Sequence, residues 1–293
     1  MIRRAARSEN VTGWLFVLPA VALIGLFGIV PIIWGAILSL QQNDLLTPPT
    51  WVGLDNYRTL IHDPVFRASV HRTFVYTLLF VPISVGGALA IAVLLNRRIR
   101  FSRFYRTAVF IPVATSTVAT GIIFNWLLEP TYGVANYLLG QIGLGPYGYF
   151  QDPDQAMYSI VAMTVWGWIG FDVIVYLAAL QGVPDELVEA AKLDGAGRWA
   201  IFRNVVFPLL SPTTLFLVVW STINALQVFD EIYVTTHGGP LQATTVMVYY
   251  LFNQAFELFH GGYAAAIAYV LFLMTLVLSV VQLWVGNRRV HYS

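Results

Sequence analysis

Met157-Tyr-Ser-Ile-Val-Ala-Met-Thr-Val-Trp-Gly-Trp-Ile-Gly-Phe-Asp-Val-Ile-Val-Tyr-Leu-Ala-Ala-Leu180 runs directly into Gln181-Gly-Val-Pro-Asp-Glu-Leu-Val-Glu-Ala-Ala-Lys-Leu-Asp-Gly-Ala-Gly-Arg-Trp-Ala-Ile-Phe-Arg-Asn204. The first part carries one charge, Asp172, and is long enough to cross a hydrocarbon core of about 30 Å as a helix. The second part is polar and charged, so it leaves the lipid. Five further runs have the length and apolar content of spans: 14–40, 74–95, 108–128, 205–226 and 263–285. None of those five contains an acidic or basic residue. The runs are continuous rather than alternating, which favours helices over barrel strands. Pro19, Pro31, Pro82, Pro112, Pro208 and Pro212 fall in or near them, where neighbouring helices can satisfy the freed backbone groups.

Composition agrees. Of 293 residues, 58% are hydrophobic and 11% charged, against about 25% charged in soluble domains. The apolar run that follows the short polar stretch 1–12 is too long for a signal-peptide core, and we read it as a retained first span. With no cysteine, disulfides, zinc–thiolate sites and thiol nucleophiles are excluded.

Charge sets the expected orientation. If the N-terminus lies inside, the inside segments hold 13 of the 16 basic residues, among them Arg3, Arg4, Arg7, Arg97, Arg98, Arg100, Arg103, Arg106, Arg288 and Arg289. The arginines from 97 to 106 read as this topology signal, alongside contact with lipid phosphates. Only Arg58, Arg67 and Arg72 fall outside, where the loops 41–73, 129–156 and 227–262 carry nine of the 15 acids. The expectation is six spans in a single transmembrane domain over 1–293, both termini cytoplasmic.

The inside segment 181–204 has its own pattern. Pro184 suits a first helical position, and Asp185 and Glu186 complement the helix dipole in the first turn. Leu187, Ala190, Ala191 and Asp194 share a face, and Gly195 can close the helix in the left-handed conformation. A second short helix is expected from about Arg198, entering the membrane near Pro208. The residues alone allow two readings of this helix-turn-helix: an amphipathic element at the interface, or a docking element whose alanines admit a close partner.

The run Glu189-Ala190-Ala191, then Asp194-Gly195-Ala196, then Phe202 and Pro208, resembles the "EAA" coupling loop of bacterial ABC importer permeases. The resemblance covers almost the whole chain. Trp51-Val-Gly-Leu-Asp-Asn-Tyr57 resembles an outer loop of the sugar-importing members, and Tyr105-Arg-Thr-Ala-Val-Phe-Ile-Pro112 their approach to the third span. Glu129-Pro-Thr-Tyr-Gly-Val-Ala-Asn136 resembles the next outer loop. Phe229-Asp-Glu-Ile-Tyr-Val-Thr-Thr-His-Gly-Gly-Pro240 resembles the last, with His237 where glycine is common. Val188 departs from the tyrosine that often precedes Glu-Ala-Ala. The similarity is to permeases of the maltose, multiple-sugar and glycerol-phosphate type.

That resemblance implies an all-α polytopic fold of the type I ABC importer permease kind, in the bacterial cytoplasmic membrane. It implies four further subunits and no nucleic acid: a second homologous permease, two copies of a nucleotide-binding ATPase and an external solute-binding protein. ATP and Mg would sit on the ATPase. The chain itself has one lysine, Lys192, preceded by Ala191 and outside any Gly-x-x-x-x-Gly-Lys-Ser/Thr loop.

Candidate solute contacts are few. An intramembrane carboxylate is costly and faces protein or a wet cavity, so Asp172 either accepts substrate hydroxyls or bonds a neighbouring helix or subunit. Trp166 and Trp168 offer apolar faces to sugar C–H groups. Asn125, Asn224 and Gln227 are further candidates, with interhelical packing as their other role. Asp230 and Glu231 read as loop structure. The five histidines lack metal-ligand spacing, and no nucleophile elbow or His-Glu-x-x-His is present, so no catalytic or metal site is expected. An ion-coupled secondary transporter using Asp172 is the other functional reading, and it leaves 189–208 unexplained.

Overall fold

A computed structural model describes residues 14–44, 46–97 and 100–287. Arg3, Arg4, Arg7, Arg98, Arg288 and Arg289 lie outside them, as do both termini. In chain order the elements are α1 (Trp14–Ser39), β1 (Gln41–Gln42), β2 (Thr50–Trp51), α2 (Asp55–His62), α3 (Pro64–Leu95), α4 (Ser102–Ala114) and α5 (Thr117–Leu127). They continue with α6 (Val134–Gly140), α7 (Ala156–Gln181), α8 (Asp185–Leu193), α9 (Arg198–Leu209), α10 (Ser211–Leu226), α11 (Asp230–Thr235), α12 (Met247–Phe252) and α13 (Gly261–Asn287). The fold is all-α, since the two strands pair over two residues each.

Four helices, α1, α3, α7 and α13, are long and apolar enough to cross a membrane singly. The pairs α4–α5 and α9–α10 meet that test only together and are bent by 100° and 65°. Among the described residues there are therefore four helices able to span singly, or up to six spans if each bent pair crosses. The expected single run 108–128 is thus corrected to a broken element. Thr115 and Ser116 both adopt extended backbone, and the Thr115 hydroxyl donates to the Pro112 carbonyl. Two extended residues in series redirect the chain, and hydroxyl groups beside a proline compete for the backbone groups that would continue the helix. In 205–226, helix starts earlier, at Arg198, and turns at Leu210, ahead of Pro212. Helix α3 likewise begins ten residues before the expected 74, at Pro64, whose missing N–H costs nothing there.

The chain falls into two compact units, Met1–Asp63 with Leu251–Val270 and Pro64–Tyr250 with Leu271–Ser293. In the first, Asn56 donates to the carbonyls of Ser39 and Gln41, Tyr57 to Ser39 Oγ at 2.7 Å, and Tyr263 to Asp63 at 2.6 Å. The most apolar stretch of α1 buries none of its residues within the chain, the state expected of a surface solvated by lipid.

The second unit is built on α3. Ser69, Thr73, Thr77, Ser84, Ala88 and Ala92 form a buried seam of small side chains along it. Small residues let helix backbones approach closely where no hydrophobic drive separates lipid from protein. Helix α3 packs most extensively against α7 and next against α10. Two of the seam's hydroxyls are satisfied locally: Thr73 donates to Ser69 and Thr77 to Thr73, each to a carbonyl one turn back at 2.8 Å. Thr73 Oγ1 also accepts the Met247 N–H at 2.9 Å, tying α12 to this seam. On α7, Gly170 admits α4: a Cβ there would collide with the Val109 carbonyl oxygen and meet Val113 Cγ2 at 2.8 Å.

Candidate solute cavity and coupling loop

Five elements of the second unit line an open cavity of about 220 Å³. Helix α3 contributes Tyr76 and Phe80, α5 Thr117, and α7 Thr164, Trp168, Phe171 and Asp172. Helix α10 and the turn into α11 supply the rest, including Trp220, Asn224, Gln227, Asp230 and Glu231. These side chains meet for a periodic reason. Thr164, Trp168 and Asp172 lie four apart on α7, as do Tyr76 and Phe80 on α3, so each set lines one helix face. The Tyr76 and Phe80 rings stack at 5.8 Å.

Asp172 is 3% exposed, and Ser84 Oγ donates to its Oδ2 at 2.6 Å. The carboxylate thus joins α7 to α3, the helix-bonding role the sequence allowed, and it also lines the cavity. Trp168, Asn224 and Gln227 also lie on the wall, with Asn224 Nδ2 donating to the Trp220 carbonyl at 2.8 Å. Trp166 does not. It points from the other side of α7 onto Phe124, with ring centroids 5.4 Å apart. Asn125 is likewise away from the cavity and donates to the Val234 carbonyl at 3.2 Å, tying α5 to α11.

Asp230 and Glu231, read from sequence as loop residues, open the short helix α11 and belong to the wall. Glu231 is 8% exposed and accepts a hydrogen bond from the Trp168 side chain. Burial, with Asp230 adjacent, raises its carboxyl above the usual range. The signal available in the sequence was the pair of acids immediately after a span, beside Phe229 and Tyr233.

The loop 181–209 is a second feature of the same unit. Helix α8 starts at Asp185, so Pro184 is the residue before it rather than the first within it. An extended Pro184 at that point ends the preceding stretch and frees Asp185 and Glu186 for the first turn. At the other end Gly195 has φ +79°, its N–H bonds the Lys192 carbonyl, and the Ala196 N–H bonds that of Ala191, both at 3.0 Å. This paired closure needs a left-handed residue, which glycine adopts without strain. Glu189, Ala190, Asp194 and Gly195 are exposed, Ala191 and Ala196 half-buried. Phe202 packs between Trp199 at 5.7 Å and Phe207 at 6.1 Å. Pro208 precedes the 65° turn, where Ser211 Oγ donates to its carbonyl at 2.6 Å. Two exposed apolar side chains, Leu193 at 89% and Trp199 at 71%, flank the Gly195 turn and were not singled out in the sequence. Beneath the loop, a cleft of about 350 Å³ runs between Arg97, Lys192, Arg198 and Phe202.

Among the described residues no cluster of His, Asp or Glu could hold a metal ion.

Known proteins resemble this chain over nearly its full length. It is 38% identical over 97% of its length to the lactose transport system permease protein LacF of Rhizobium radiobacter, covering 96% of that protein. It is 33% identical over 96% of its length to the sn-glycerol-3-phosphate transport system permease protein UgpA of Yersinia enterocolitica, covering 95% of it. A chain in the crystal structure of a bacterial alginate ABC transporter, complexed with an alginate pentasaccharide-bound periplasmic protein, superposes with a TM-score of 0.85. That match covers 96% of both chains at 23% identity and shows a shared fold. Residues 83–291, which hold the cavity's α7, α10 and α11 and the whole of the loop, match one family throughout, and the chain belongs to it: the inner membrane components of binding-protein-dependent transport systems.

Proposed function

We propose that this chain is one of two homologous permease subunits of an ATP-driven importer for a sugar or sugar-like solute. The observation that carries the reading is one bundle holding both an aromatic, hydroxyl- and carboxylate-lined cavity and an exposed helix-turn-helix closed by paired hydrogen bonds at Gly195. Relatives that serve lactose and glycerol-phosphate transport, and a structural neighbour from an alginate importer, support the solute class.

In this reading loop 181–209 is cytoplasmic and docks on an ATPase subunit that binds ATP and Mg. Leu193 and Trp199 supply apolar anchors, and Glu189 and Asp194 polar contacts at the rim. Closure of the ATPase dimer draws the loops of the two permeases together. The paired hydrogen bonds at Gly195 keep α8 and α9 in fixed relation, so the displacement passes into α10, which carries Trp220 and Asn224 of the cavity wall. The switch is between two rigid states, each favoured by its own contacts. An external binding protein delivers the solute from the opposite side. A secondary transporter coupled through Asp172 would give this loop no task.

The test is reconstitution of the chain with its partner permease, ATPase and binding protein in liposomes. Loaded binding protein is expected to stimulate ATP hydrolysis and uptake, and Glu189→Lys to weaken both through reversed charge at the docking rim. Uptake that follows an ion gradient and ignores ATP would overturn the proposal.

A further inference from the structure

The wall of the cavity has a lopsided charge. Of its lining residues, Asp172, Asp230 and Glu231 are acidic, and none is lysine, arginine or histidine. Two of the three acids, Asp172 and Glu231, are buried. The nearest cation along the lining helices, Arg72, sits one turn beyond Tyr76 on α3 and is not part of the wall. Around the acids stand Tyr76, Phe171, Trp168 and Trp220, with both tryptophans partly exposed.

We propose that this cavity selects by charge: it accepts neutral glycans and rejects those bearing carboxylate or phosphate, with Asp172 and Glu231 setting the preference. The inference rests on the reading of the cavity as the solute's path. A hydroxyl-rich neutral ring suits this wall. Its O–H groups donate to carboxylates, and its C–H faces lie on aromatic rings. A uronic acid or a sugar phosphate meets three acidic side chains here and no cation, and repulsion from each ionised acid is little screened by salt in a buried site. No guanidinium or ammonium on the wall answers it. The fold does not dictate this outcome. A neighbour sharing it at TM-score 0.84 comes from an importer of the acidic polysaccharide alginate, and a relative serves sn-glycerol-3-phosphate transport. The shared architecture therefore does not by itself set a charge preference.

The experiment uses the assembled complex of both permeases and the ATPase in lipid nanodiscs, without the binding protein, so that the binding protein's own selectivity is removed. Dissociation constants are measured calorimetrically for a panel of neutral oligosaccharides and their uronic acid counterparts of equal length. The best neutral glycan is expected to bind at least about tenfold more tightly than its counterpart, equivalent to ~1.4 kcal/mol. Glu231→Gln is expected to narrow that ratio. Should that variant fail to assemble, the wild-type ratio still decides. Equal binding, or a preference for the uronic acid, overturns the inference, as does absence of any binding while the same complex, reconstituted in liposomes with its binding protein, still takes up the neutral glycan on ATP. Loss of ATP-driven uptake altogether would instead overturn the proposed function.

Discussion

The loop 181–209 and the cavity are the two parts of this molecule that carry its proposed work, and they are built in opposite ways. The loop is local. Its helix start, its left-handed closure at Gly195 and its restart at Arg198 all arise within about fifteen residues, and its key side chains face outward. The cavity is assembled from helices distant in sequence: Ser84 and Asp172, joined by a 2.6 Å hydrogen bond, are 88 positions apart. A motif read along the chain can therefore define the first, whereas only packing defines the second. The difference predicts separable failures. Damage to the loop breaks the link to ATP and leaves solute binding intact. Damage to the cavity does the reverse.

The largest effect is expected from Gly195→Pro. Proline cannot adopt φ +79° and removes the N–H that bonds Lys192, a local cost of about 3 kcal/mol or more. Binding-protein-stimulated ATP hydrolysis should fall to near the unstimulated rate, while calorimetric glycan binding stays at the wild-type value. Loss of glycan binding in this variant would erase the distinction between the two regions.

Asp172→Asn comes next and probes the other region. It removes one charge-assisted acceptor, worth about 1.5–3 kcal/mol. Glycan affinity should drop roughly tenfold to a hundredfold, and unequally across substrates, with ATP hydrolysis still coupled to loaded binding protein. A complex that fails to assemble would place the weight of this residue on its bond to Ser84 instead.

The smallest effect is expected from Asn125→Leu. It removes the 3.2 Å bond to the Val234 carbonyl outside the cavity, a loss of about 1 kcal/mol. A thermal unfolding scan should show a modest decrease, and the ranking of substrates should be unchanged. A changed ranking would mean that the α5–α11 contact shapes the wall.

How much was legible follows from the same contrast. Long apolar runs announced α1, α3, α7 and α13, because span length and lipid exposure are written in composition. The 100° break at Thr115–Ser116 was not, since a proline and two hydroxylated residues inside an apolar run are compatible with a straight helix until neighbours take over the freed backbone groups. Four candidates, Asp172, Trp168, Asn224 and Gln227, line the cavity, while Trp166, two positions from Trp168 and so on another face of α7, packs on Phe124. Spacing along a helix separates those two tryptophans, but which face is inward depends on α3 and α10. Glu231 looked like loop because six-residue helices carry little pattern of their own. His237 is a smaller case of legibility: the resemblance noted in its sequence implies glycine at this position, and its φ of +49° places it in the left-handed region that glycine favours and histidine enters more readily than most residues.

The bond between Ser84 and Asp172 also has a meaning in time. Spans are made in order, and a helix bearing a carboxylate at mid-depth is costly to leave alone in lipid. Ser84 belongs to the earlier helix, so when α7 is synthesised its partner hydroxyl has already been made. The small-residue seam on α3 then offers α7 a close-fitting place to settle beside it. The order of the chain thus supplies the recipient before the group that needs it, and the nascent protein can shelter the Asp172 carboxylate without waiting for a partner subunit.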